Sequence, residues 1–370
     1  MRVALVTTDL SNGSGWSTLA GDLGSALVAA GVEVVAVTQS GTAPAAIWQP
    51  TDFRPVLPGS TSRRALPTIL RANRTVAAAV ADCDLVDVIA EPYAACFLSS
   101  CRARPVVITA CGTFVPQLVQ QWPERWWYRR IFRRCSLRAI SDYTADQVRR
   151  VLGPIEVAVH LPGIPVERWL QPGTVPAKTG PTVISVGAPK PRKGWHLLVE
   201  ALPAVRAAVP DIQCLLIGGG GSKDYVATLK ARIKELDLEP VVRLTGRLSD
   251  DDLRGWYQHA DLYVQPALND GPAFEGFGLV HLEANACGLP TIGSLDCGNE
   301  SAIIDGETGY LVAQGDVPAL AARMVEVLSD AQLALRLRQN ARHHARQHTC
   351  AHYASESLAY YQRKLAEHRQ

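Results

Sequence analysis

The chain lacks the charge imbalance, the paired cysteines and the long N-terminal apolar run that mark several large classes of protein. Lys and Arg number 37 against 35 for Asp and Glu, so there is no basic excess of the kind that nucleic-acid binding requires. The nine cysteines include no Cys-x-x-Cys pair, which argues against a disulfide framework and a structural zinc site. The opening run "RVALVTT" is too short for a signal peptide or a membrane span. We therefore expect a cytoplasmic protein with no nucleic-acid partner.

The length and the pattern of apolar residues predict two α/β domains. At 370 residues the chain exceeds the length of roughly 250 to 300 residues at which one hydrophobic core stops growing. Short runs rich in Val and Ile alternate with helical patterns, and the same alternation begins again after residue 180. Such alternation is typical of a buried parallel sheet covered by helices.

A proline-rich segment predicts where one domain ends and the next begins. Five prolines fall between residues 161 and 181, a density that interrupts regular structure and suits a linker. We expect a first domain at residues 1–165 and a second domain at residues 178–350. The tail, residues 317–370, is helical by its spacing of apolar residues.

Two glycine-rich stretches follow predicted strands. In "LSNGSGWS", residues 10–17, small residues precede a helix, where backbone N–H groups and the helix N-terminus can bind an anion. Thr18 occupies the third glycine position of the dinucleotide fingerprint, so a plain tight turn remains an alternative. The second stretch, "LIGGGGS" at residues 216–222, fits a flexible crossover and a close approach to a ligand equally well.

A basic loop follows the first strand of the second series. In "VGAPKPRKGW" the strand ends at Gly187, and Lys190, Arg192 and Lys193 come directly after it. Open α/β sheets bind ligands at the carboxyl ends of their strands, so this position favours phosphate binding over a merely solvated basic loop.

The stretch "EGFGLVHLEANACGLPT" begins at Glu275 and reads as a loop followed by a short helix. One carboxylate near a helix N-terminus is commonly a favourable dipole interaction. Here, however, the N–H groups of Phe277, Gly278 and Leu279 form an anion site, and Glu275 beside a bound phosphate would be repelled without another role. Glu283 offers two acceptor oxygens that match the hydroxyls of a ribose. Together these groups predict a bound nucleotide.

These motifs resemble the donor-site signature of the retaining glycosyltransferases of family 4, in which two glutamates are separated by seven residues. The match continues through "CGNESAIIDGETGYLV", and other motifs occur in family order, among them "NGSGW", "SDYT", "HLPGIPVERW", "LLIGGGG" and "VVRLTGRLSDDDLRGWYQHADLYVQPA". The resemblance implies the GT-B fold, with two Rossmann-like domains facing each other across a cleft. It also implies that the last helix, about residues 352–370, crosses back to the first domain.

The activity implied by the resemblance is transfer of a sugar from a nucleotide-sugar donor to a saccharide or lipid-linked saccharide acceptor. The anomeric configuration would be retained, and no cofactor or metal would be required. Glu275 is expected to orient a hydroxyl of the transferred sugar and to stabilise positive charge at its ring. Lys193 is expected to meet the diphosphate and Glu283 to bind the ribose. Lys193 and Arg192 are expected, with Glu275, among the catalytic residues. The other expected donor-binding residues are Gly15, Gly187, Lys190, Thr245, Gly246, Arg247, Leu248, Gly276, Phe277, Gly278 and Leu279, of which Thr245 to Leu248 would border the base.

The sequence departs from the family pattern at two positions. Ala188 stands where the family usually has Arg, and we expect Arg192 or Lys190 to supply the missing charge. Cys111 and Gly112 follow the strand "PVVITA", where the family usually has His-Gly at the sugar pocket. Cysteine is a poor replacement as a hydrogen-bond donor. A non-catalytic nucleotide-binding or scaffold protein is therefore an alternative, while a nicotinamide dehydrogenase is disfavoured by the incomplete glycine fingerprint.

One segment of the first domain, residues 122–134, combines tryptophans with arginines. An aromatic and basic helix suits a peripheral contact with a membrane surface, which would present a lipid-linked acceptor. A helix packed on the sheet with its arginines in solvent is the alternative. The aromatic and basic residues are Trp122, Trp126, Trp127, Tyr128, Phe132, Arg125, Arg129, Arg130, Arg133 and Arg134.

Overall fold

The computed structural model describes residues 1–11, 13–43, 48–60, 66–120 and 125–370. The chain divides into a first unit, Met1–Gly163 with Thr349–Gln370, and a second unit, Ile164–His348. The proline-rich segment expected between the domains thus lies in the second unit from Ile164 onward, and only residues 161–163 belong to the first. It also contains a short helix, because the apolar side chains of Val166 and Trp169 are buried there despite the surrounding prolines.

The first unit is built on a parallel sheet with the strand order β3-β2-β1-β4-β5-β6-β7. Its strands are β1 (Arg2–Val6), β2 (Glu33–Gln39), β3 (Asp52–Leu57), β4 (Leu85–Val88), β5 (Val106–Ala110), β6 (Ser136–Ala139) and β7 (Val157–Val159). Its helices up to this point in the chain are α1 (Gly15–Ala29), α2 (Leu66–Arg71), α3 (Asn73–Ala79), α4 (Phe114–Gln120), α5 (Arg125–Phe132) and α6 (Asp142–Leu152). The strand order changes direction between β1 and β4, and the loops that follow such neighbouring strands commonly border a ligand site.

The second unit repeats this architecture with the strand order β10-β9-β8-β11-β12-β13, again parallel. Its strands are β8 (Thr182–Val186), β9 (Gln213–Ile217), β10 (Val242–Gly246), β11 (Leu262–Val264), β12 (Thr291–Ser294) and β13 (Gly309–Val312). Its helices are α7 (Val166–Leu170), α8 (Trp195–Ala208), α9 (Lys223–Glu235), α10 (Asp250–His259), α11 (Leu279–Ala286), α12 (Val317–Ser329) and α13 (Ala331–Gln347). Here the direction changes between β8 and β11. The prediction of two Rossmann-like α/β domains is confirmed.

The last helix, α14 (Cys350–Arg369), belongs to the first unit, as expected. A buried polar cluster fixes it there. Nη2 of Arg138 lies 2.5 Å from Oδ2 of Asp87, and its Nη1 donates to Oγ of Ser357 at 2.6 Å. The hydroxyl of Tyr361 donates to the same Asp87 oxygen at 2.5 Å. Because buried charges require partners, these bonds tie α14 to β4 and β6.

Candidate functional site

Two loops carry the predicted donor-site residues away from the second sheet at the point where its strand order changes direction. The first loop follows β8, begins at Gly187 and ends in the 3-10 turn Pro191–Lys193. The second loop follows β11 and contains Glu275 before α11 begins at Leu279. Because β8 and β11 are paired neighbours, both loops leave the same edge of the sheet.

Glu275 forms ion pairs with two residues of the basic loop, a pairing that the sequence did not predict. Its Oε2 atom accepts hydrogen bonds from Nη1 of Arg192 at 2.8 Å and from Nζ of Lys193 at 2.6 Å. Burial acts to raise the pKa of Glu275, but the charges of Lys193 and Arg192 outweigh it and hold that pKa at about 2. Burial also lowers the pKa of Lys193, against the opposing effect of Glu275. At neutral pH Glu275 is therefore a carboxylate, and one of its oxygens accepts from both basic side chains.

The backbone at the start of α11 requires glycine at position 278 and is held in place by the side chain of Asn299. Gly278 precedes the helix with a φ of 92°, in the left-handed region, and a Cβ there would lie 2.7 Å from Nδ2 of Asn299. The Asn299 amide donates to the carbonyl of Phe277 at 3.2 Å. The first N–H groups of a helix have no partner within it and carry partial positive charge. The predicted anion site at residues 277–279 therefore has a fixed backbone.

The rest of this loop packs against a second glycine. The N–H of Gly298 donates to the carbonyl of Glu275 at 2.8 Å. A Cβ on Gly298 would lie 2.1 Å from the carbonyl oxygen of Gly276, so no larger residue fits without moving the loop. Gly276 is thus a buried packing position beside the anion site.

Glu283 lies in the second turn of α11 and is half-buried. The hydroxyl of Tyr257, from α10, donates to its Oε2 at 3.1 Å. Burial, and then the charge of Glu283, raises the pKa of Tyr257 well above its ordinary value, so this hydroxyl remains a donor. The carboxylate is therefore oriented by a buried partner.

The backbones at the ends of three strands of the second sheet contact one another at glycine residues. Gly187 donates its N–H to the carbonyl of Ile217 at 2.9 Å, and Gly218 donates to the carbonyl of Gly246 at 2.9 Å. A Cβ on Gly218 would lie 1.9 Å from the Gly187 oxygen, so these backbones are in direct contact. Beside them lies a cavity of about 440 Å³, lined in part by residues 218–221, Trp195, Lys223, Lys230 and Gly246.

The remaining predicted donor-site residues of the second unit lie on its surface. Gly246 has a φ of 71° and accepts a hydrogen bond from Oγ1 of Thr245 at 2.9 Å. Arg247 is exposed and Leu248 is half-buried in the same turn. Lys190 is exposed and directly precedes the 3-10 turn. The structure places no side chain of these residues on Glu275.

In the first unit, Cys111 turns its thiol toward the backbone. Its Sγ lies 3.4 Å from the carbonyl oxygen of Thr109 and 3.6 Å from that of Ile89. Burial raises the pKa of Cys111 well above its ordinary value, so the group stays a neutral thiol. The adjacent Gly112 is buried. The thiol is therefore directed at backbone carbonyl oxygens of the first unit.

The glycine-rich stretch after β1 begins a helix. Gly15 is the first residue of α1 and is exposed, with no atom within 4 Å of where a Cβ would stand. Ser14 is the N-cap, and its side chain accepts from the N–H of Ser17 at 3.2 Å. Asn12 of the same motif lies outside the described residues.

Helix α5 of the aromatic and basic segment has some aromatic side chains buried and others exposed. Tyr128, Ile131 and Phe132 are buried against the unit, whereas Trp126 and Trp127 are 66% and 48% exposed. The remaining predicted tryptophan, Trp122, lies outside the described residues. Of the arginines, Arg125 and Arg129 are half-buried, and Arg130, Arg133 and Arg134 are exposed.

Family models match both halves of the chain. The model "Glycosyltransferase Family 4" matches residues 13–168, and the model "Glycosyl transferases group 1" matches residues 169–344. The chain belongs to the family 4, group 1 glycosyltransferases. The second model spans every donor-site residue described in the second unit.

Relatives of this glycosyltransferase carry names that include nucleotide sugars and lipid acceptors. A "GDP-mannose-dependent monoacylated alpha-(1-6)-phosphatidylinositol monomannoside mannosyltransferase" from Corynebacterium glutamicum is 34% identical, over 52% of this chain and 53% of that protein. A "D-inositol 3-phosphate glycosyltransferase" from Jonesia denitrificans is 34% identical, over 62% of this chain and 57% of that protein. The chain spans about half the length of the curated relatives it matches.

Solved structures share the fold of this glycosyltransferase. Sucrose-phosphate synthase from Thermosynechococcus elongatus superimposes with a TM-score of 0.79 at 22% identity, covering 99% of this chain and 100% of that chain. Anabaena HepE, in complex with UDP and glucose, superimposes with a TM-score of 0.78 at 19% identity, covering 97% and 99% of the two chains.

Three buried side chains that bond predicted site residues were not predicted from the sequence. Tyr257, Asn299 and Glu91 each bond a residue that the sequence singled out, but each lies 20 or more positions away from it. Asn299 falls within the quoted "CGNESAIIDGETGYLV" motif, so its position was a signal. Tyr257 lies in the equally suggestive "GWYQHADLYV" stretch, whereas nothing local marks Glu91.

In the ranges that the structure describes, no cluster of three or more His, Cys, Asp or Glu side chains is arranged to hold a metal ion. Among the helices of those same ranges, none has both the length and the apolar character needed to cross a bilayer.

Proposed function

We propose that this glycosyltransferase moves a sugar from a nucleotide-sugar donor to a saccharide or lipid-linked saccharide acceptor, retains the anomeric configuration and requires no metal. The observation that carries the proposal is the contact of Glu275 with Arg192 and Lys193 where the second sheet changes strand order. A buried carboxylate with two cations and a helix N-terminus nearby gives a net positive, rigid site. Such a site suits a diphosphate next to a sugar.

The donor would lie along the two loops of the second unit. Lys193, Arg192 and the exposed Lys190 would meet the diphosphate, and the backbone N–H groups at residues 277–279 would bind its sugar-linked phosphate. The carboxylate of Glu283, oriented by Tyr257, would accept both hydroxyls of the ribose. The three cations also account for the charge that the family usually supplies at position 188.

The protein's main contribution to the reaction would be electrostatic. As the bond from the sugar to the diphosphate breaks, positive charge develops at the anomeric carbon and negative charge on the leaving phosphate. Glu275 would stabilise the first charge, while Lys193, Arg192 and the amides of α11 would stabilise the second. In a front-face reaction an oxygen of the leaving phosphate takes the proton of the acceptor hydroxyl, which then bonds to the same face of the sugar. Two cations in place beside the phosphate make a metal unnecessary for charge neutralisation.

The base of the donor would lie near the turn from Thr245 to Leu248 and the glycine run 218–221. Gly246 belongs to the turn and lines the cavity beside these glycines, so the backbone there is open to a planar ligand. Two relatives are named as GDP-mannose-dependent enzymes, and one neighbouring structure contains UDP. GDP-mannose is therefore the first donor to test.

A lipid-linked acceptor would be met through helix α5. Trp126 and Trp127 are exposed on a helix whose buried face, at Tyr128 and Phe132, anchors it to the first unit. Indole rings beside arginine favour the interface of an anionic membrane, because the rings enter the headgroup region and the guanidinium groups stay at its surface.

The test is release of nucleoside diphosphate from a panel of GDP-, UDP- and ADP-sugars, with and without EDTA, in the presence of short saccharides and lipid-linked saccharides. We expect turnover of one donor class, unaffected by EDTA, and a product with the donor's anomeric configuration by proton NMR. Nucleotide binding without turnover of any donor would instead support the non-catalytic alternative. An inverted product, or loss of turnover in EDTA, would refute that part of the proposal.

A further inference from the structure

The carboxylate of Glu91 is completely buried at the edge of the first sheet and takes no part in the donor site of the second unit. Its Oε2 accepts a hydrogen bond from Nε1 of Trp16 at 2.6 Å, and its Oε1 accepts one from the N–H of Cys111 at 2.7 Å. Glu91 follows β4, Trp16 follows β1 and Cys111 follows β5. One carboxylate therefore joins the connections that follow three neighbouring strands, at the point where this sheet changes strand order.

Such a group is costly to bury, so its bonds need a reason beyond packing. An apolar side chain would fill the same space without the loss of hydration. Burial raises the pKa of Glu91 to about 7, even though both N–H groups act to lower it. A carboxylate, unlike an apolar residue, orients its neighbours, because its two oxygens hold two N–H groups at defined angles.

The indole that Glu91 fixes belongs to an aromatic pair. The ring centroids of Trp16 and Phe114 are 4.5 Å apart, with their planes tilted by 44°. Phe114, the first residue of α4, is 37% exposed, and Trp16 is half-buried. The pair thus presents part of an aromatic surface at the same sheet edge, while the neighbouring thiol of Cys111 is engaged with backbone carbonyls.

The segment that leads from β1 into Trp16 carries polar groups. The Oγ1 atom of Thr8 lies 2.9 Å from Oδ2 of Asp9 and 3.5 Å from Oγ of Ser14, and both precede Trp16 closely in the chain. An exposed aromatic pair suits a sugar, whose C–H face is apolar and stacks on rings. Hydroxyl and carboxylate groups in the segment just before Trp16 suit the hydroxyls of a sugar better than they suit a lipid chain.

We propose that Trp16 and Phe114 form the floor on which a sugar ring of the saccharide acceptor stacks, and that Glu91 is the positioning residue that holds this floor in place. The proposal rests on the proposed function, since it names the acceptor class of the same reaction. It also explains how the chain operates with cysteine at position 111. Acceptor recognition comes from a ring surface that Glu91 fixes, and not from the Cys111 side chain.

The first experiment measures direct contact and does not depend on turnover. Saturation-transfer NMR, irradiating aromatic protons of the whole protein, is carried out with methyl α-D-mannopyranoside, methyl α-D-glucopyranoside, methyl α-D-galactopyranoside and myo-inositol. We expect transfer to ring C–H protons of at least one of these probes in the wild type. The signal should fall several-fold in Trp16→Leu and Phe114→Leu and persist in the matched control Trp126→Leu. Absence of transfer to every probe, or equal transfer in all variants, would contradict the stacking of a sugar ring on Trp16 and Phe114.

The second experiment separates acceptor binding from donor binding, using the donor and acceptor that the panel identifies. Trp16→Leu should raise the acceptor KM about tenfold, while the donor KM changes less than twofold. Glu91→Gln keeps the shape but replaces one acceptor oxygen with a donor, so it should shift the acceptor KM in the same direction. An unchanged acceptor KM in both variants would overturn the role of Glu91. If the wild type turns over no donor, the proposed function fails, and the NMR result still decides whether the floor binds sugars.

Discussion

Nζ of Lys193 lies 2.6 Å from Oε2 of Glu275, although 82 positions separate the two residues in the chain. Arg192 donates to the same oxygen at 2.8 Å, so a single carboxylate oxygen bridges two cations. A bound diphosphate would compete for these cations, and Glu275 would then face the sugar next to it. Under the proposed function, the diphosphate would therefore replace Glu275 as the partner of these two cations.

Replacement of Glu275 by Gln should separate binding from catalysis. Loss of the carboxylate removes the competitor for Lys193 and Arg192, so affinity for the nucleoside diphosphate should stay the same or increase. Turnover should fall by about 10² to 10³, the effect typical of losing one electrostatic stabiliser. Calorimetry and steady-state kinetics measure both quantities. The exposed Glu307→Gln serves as control, and a Glu275→Gln variant with wild-type turnover would contradict the assigned role.

Glu283 should account for recognition of the ribose. Glu283→Gln should weaken nucleotide binding by about 1 to 3 kcal/mol, because a charged hydrogen-bond acceptor is lost. A 2′-deoxynucleotide should bind the wild type more weakly than the ribonucleotide but bind the variant equally, which a double-mutant cycle reports. Tyr257→Phe, which removes only the orienting hydroxyl, should have a smaller effect. Equal discrimination of the two sugars by wild type and variant would exclude contact between Glu283 and the ribose.

These contacts show what the sequence could and could not predict. The two α/β domains could be predicted because short apolar strands and helical patterns alternate along the chain and the alternation begins again after residue 180. Strand β3 was missed because Pro55 interrupts it, and it is tolerated there because β3 lies at the sheet edge. Strand β6 was missed because it carries Arg138, whose burial depends on Asp87, 51 positions away.

The same limit applies to the site. Local motifs identified Glu275, Glu283 and the basic loop, since each lies at a strand end or a helix start. They could not show that Arg192 and Lys193 converge on Glu275, nor that Glu91 holds Trp16 across 75 positions. Pairings of this kind follow from the order of strands in the sheet, which local patterns do not contain.

The pH dependence of stability should carry a contribution from Glu91. Burial raises the pKa of Glu91 from 4.5 to about 7, so the folded state holds its proton more tightly than the unfolded state. The stabilisation is therefore complete below about pH 4.5 and is lost as pH rises through 7, a change of about 3 kcal/mol at most. Urea unfolding of wild type and Glu91→Gln at pH 5 and pH 8 isolates the contribution of Glu91 to the free energy of unfolding. The difference in unfolding free energy between the two proteins should shift against the wild type at pH 8, and a constant difference would contradict the buried, protonating carboxyl.

Helix α5 should determine binding to anionic membranes. Replacing Trp126 and Trp127 together by Ala removes the exposed indole rings without touching the buried face at Tyr128 and Phe132. Sedimentation with phosphatidylglycerol vesicles at low salt should fall several-fold, because apolar burial in the headgroup region is lost. Exposed Leu335 of the second unit, changed to Ala, is the control. If the wild-type protein stays in the supernatant with these vesicles, the proposed membrane contact of α5 is contradicted.

The most direct measurement of the central claim is the affinity of Lys193→Met for GDP, UDP and ADP by calorimetry, with Lys178→Met as the control for a lysine paired at the surface. The donor site described here predicts at least a tenfold loss of affinity for the preferred nucleoside diphosphate in Lys193→Met and wild-type affinity in Lys178→Met. Equal affinity in wild type and Lys193→Met would show that the diphosphate is bound elsewhere.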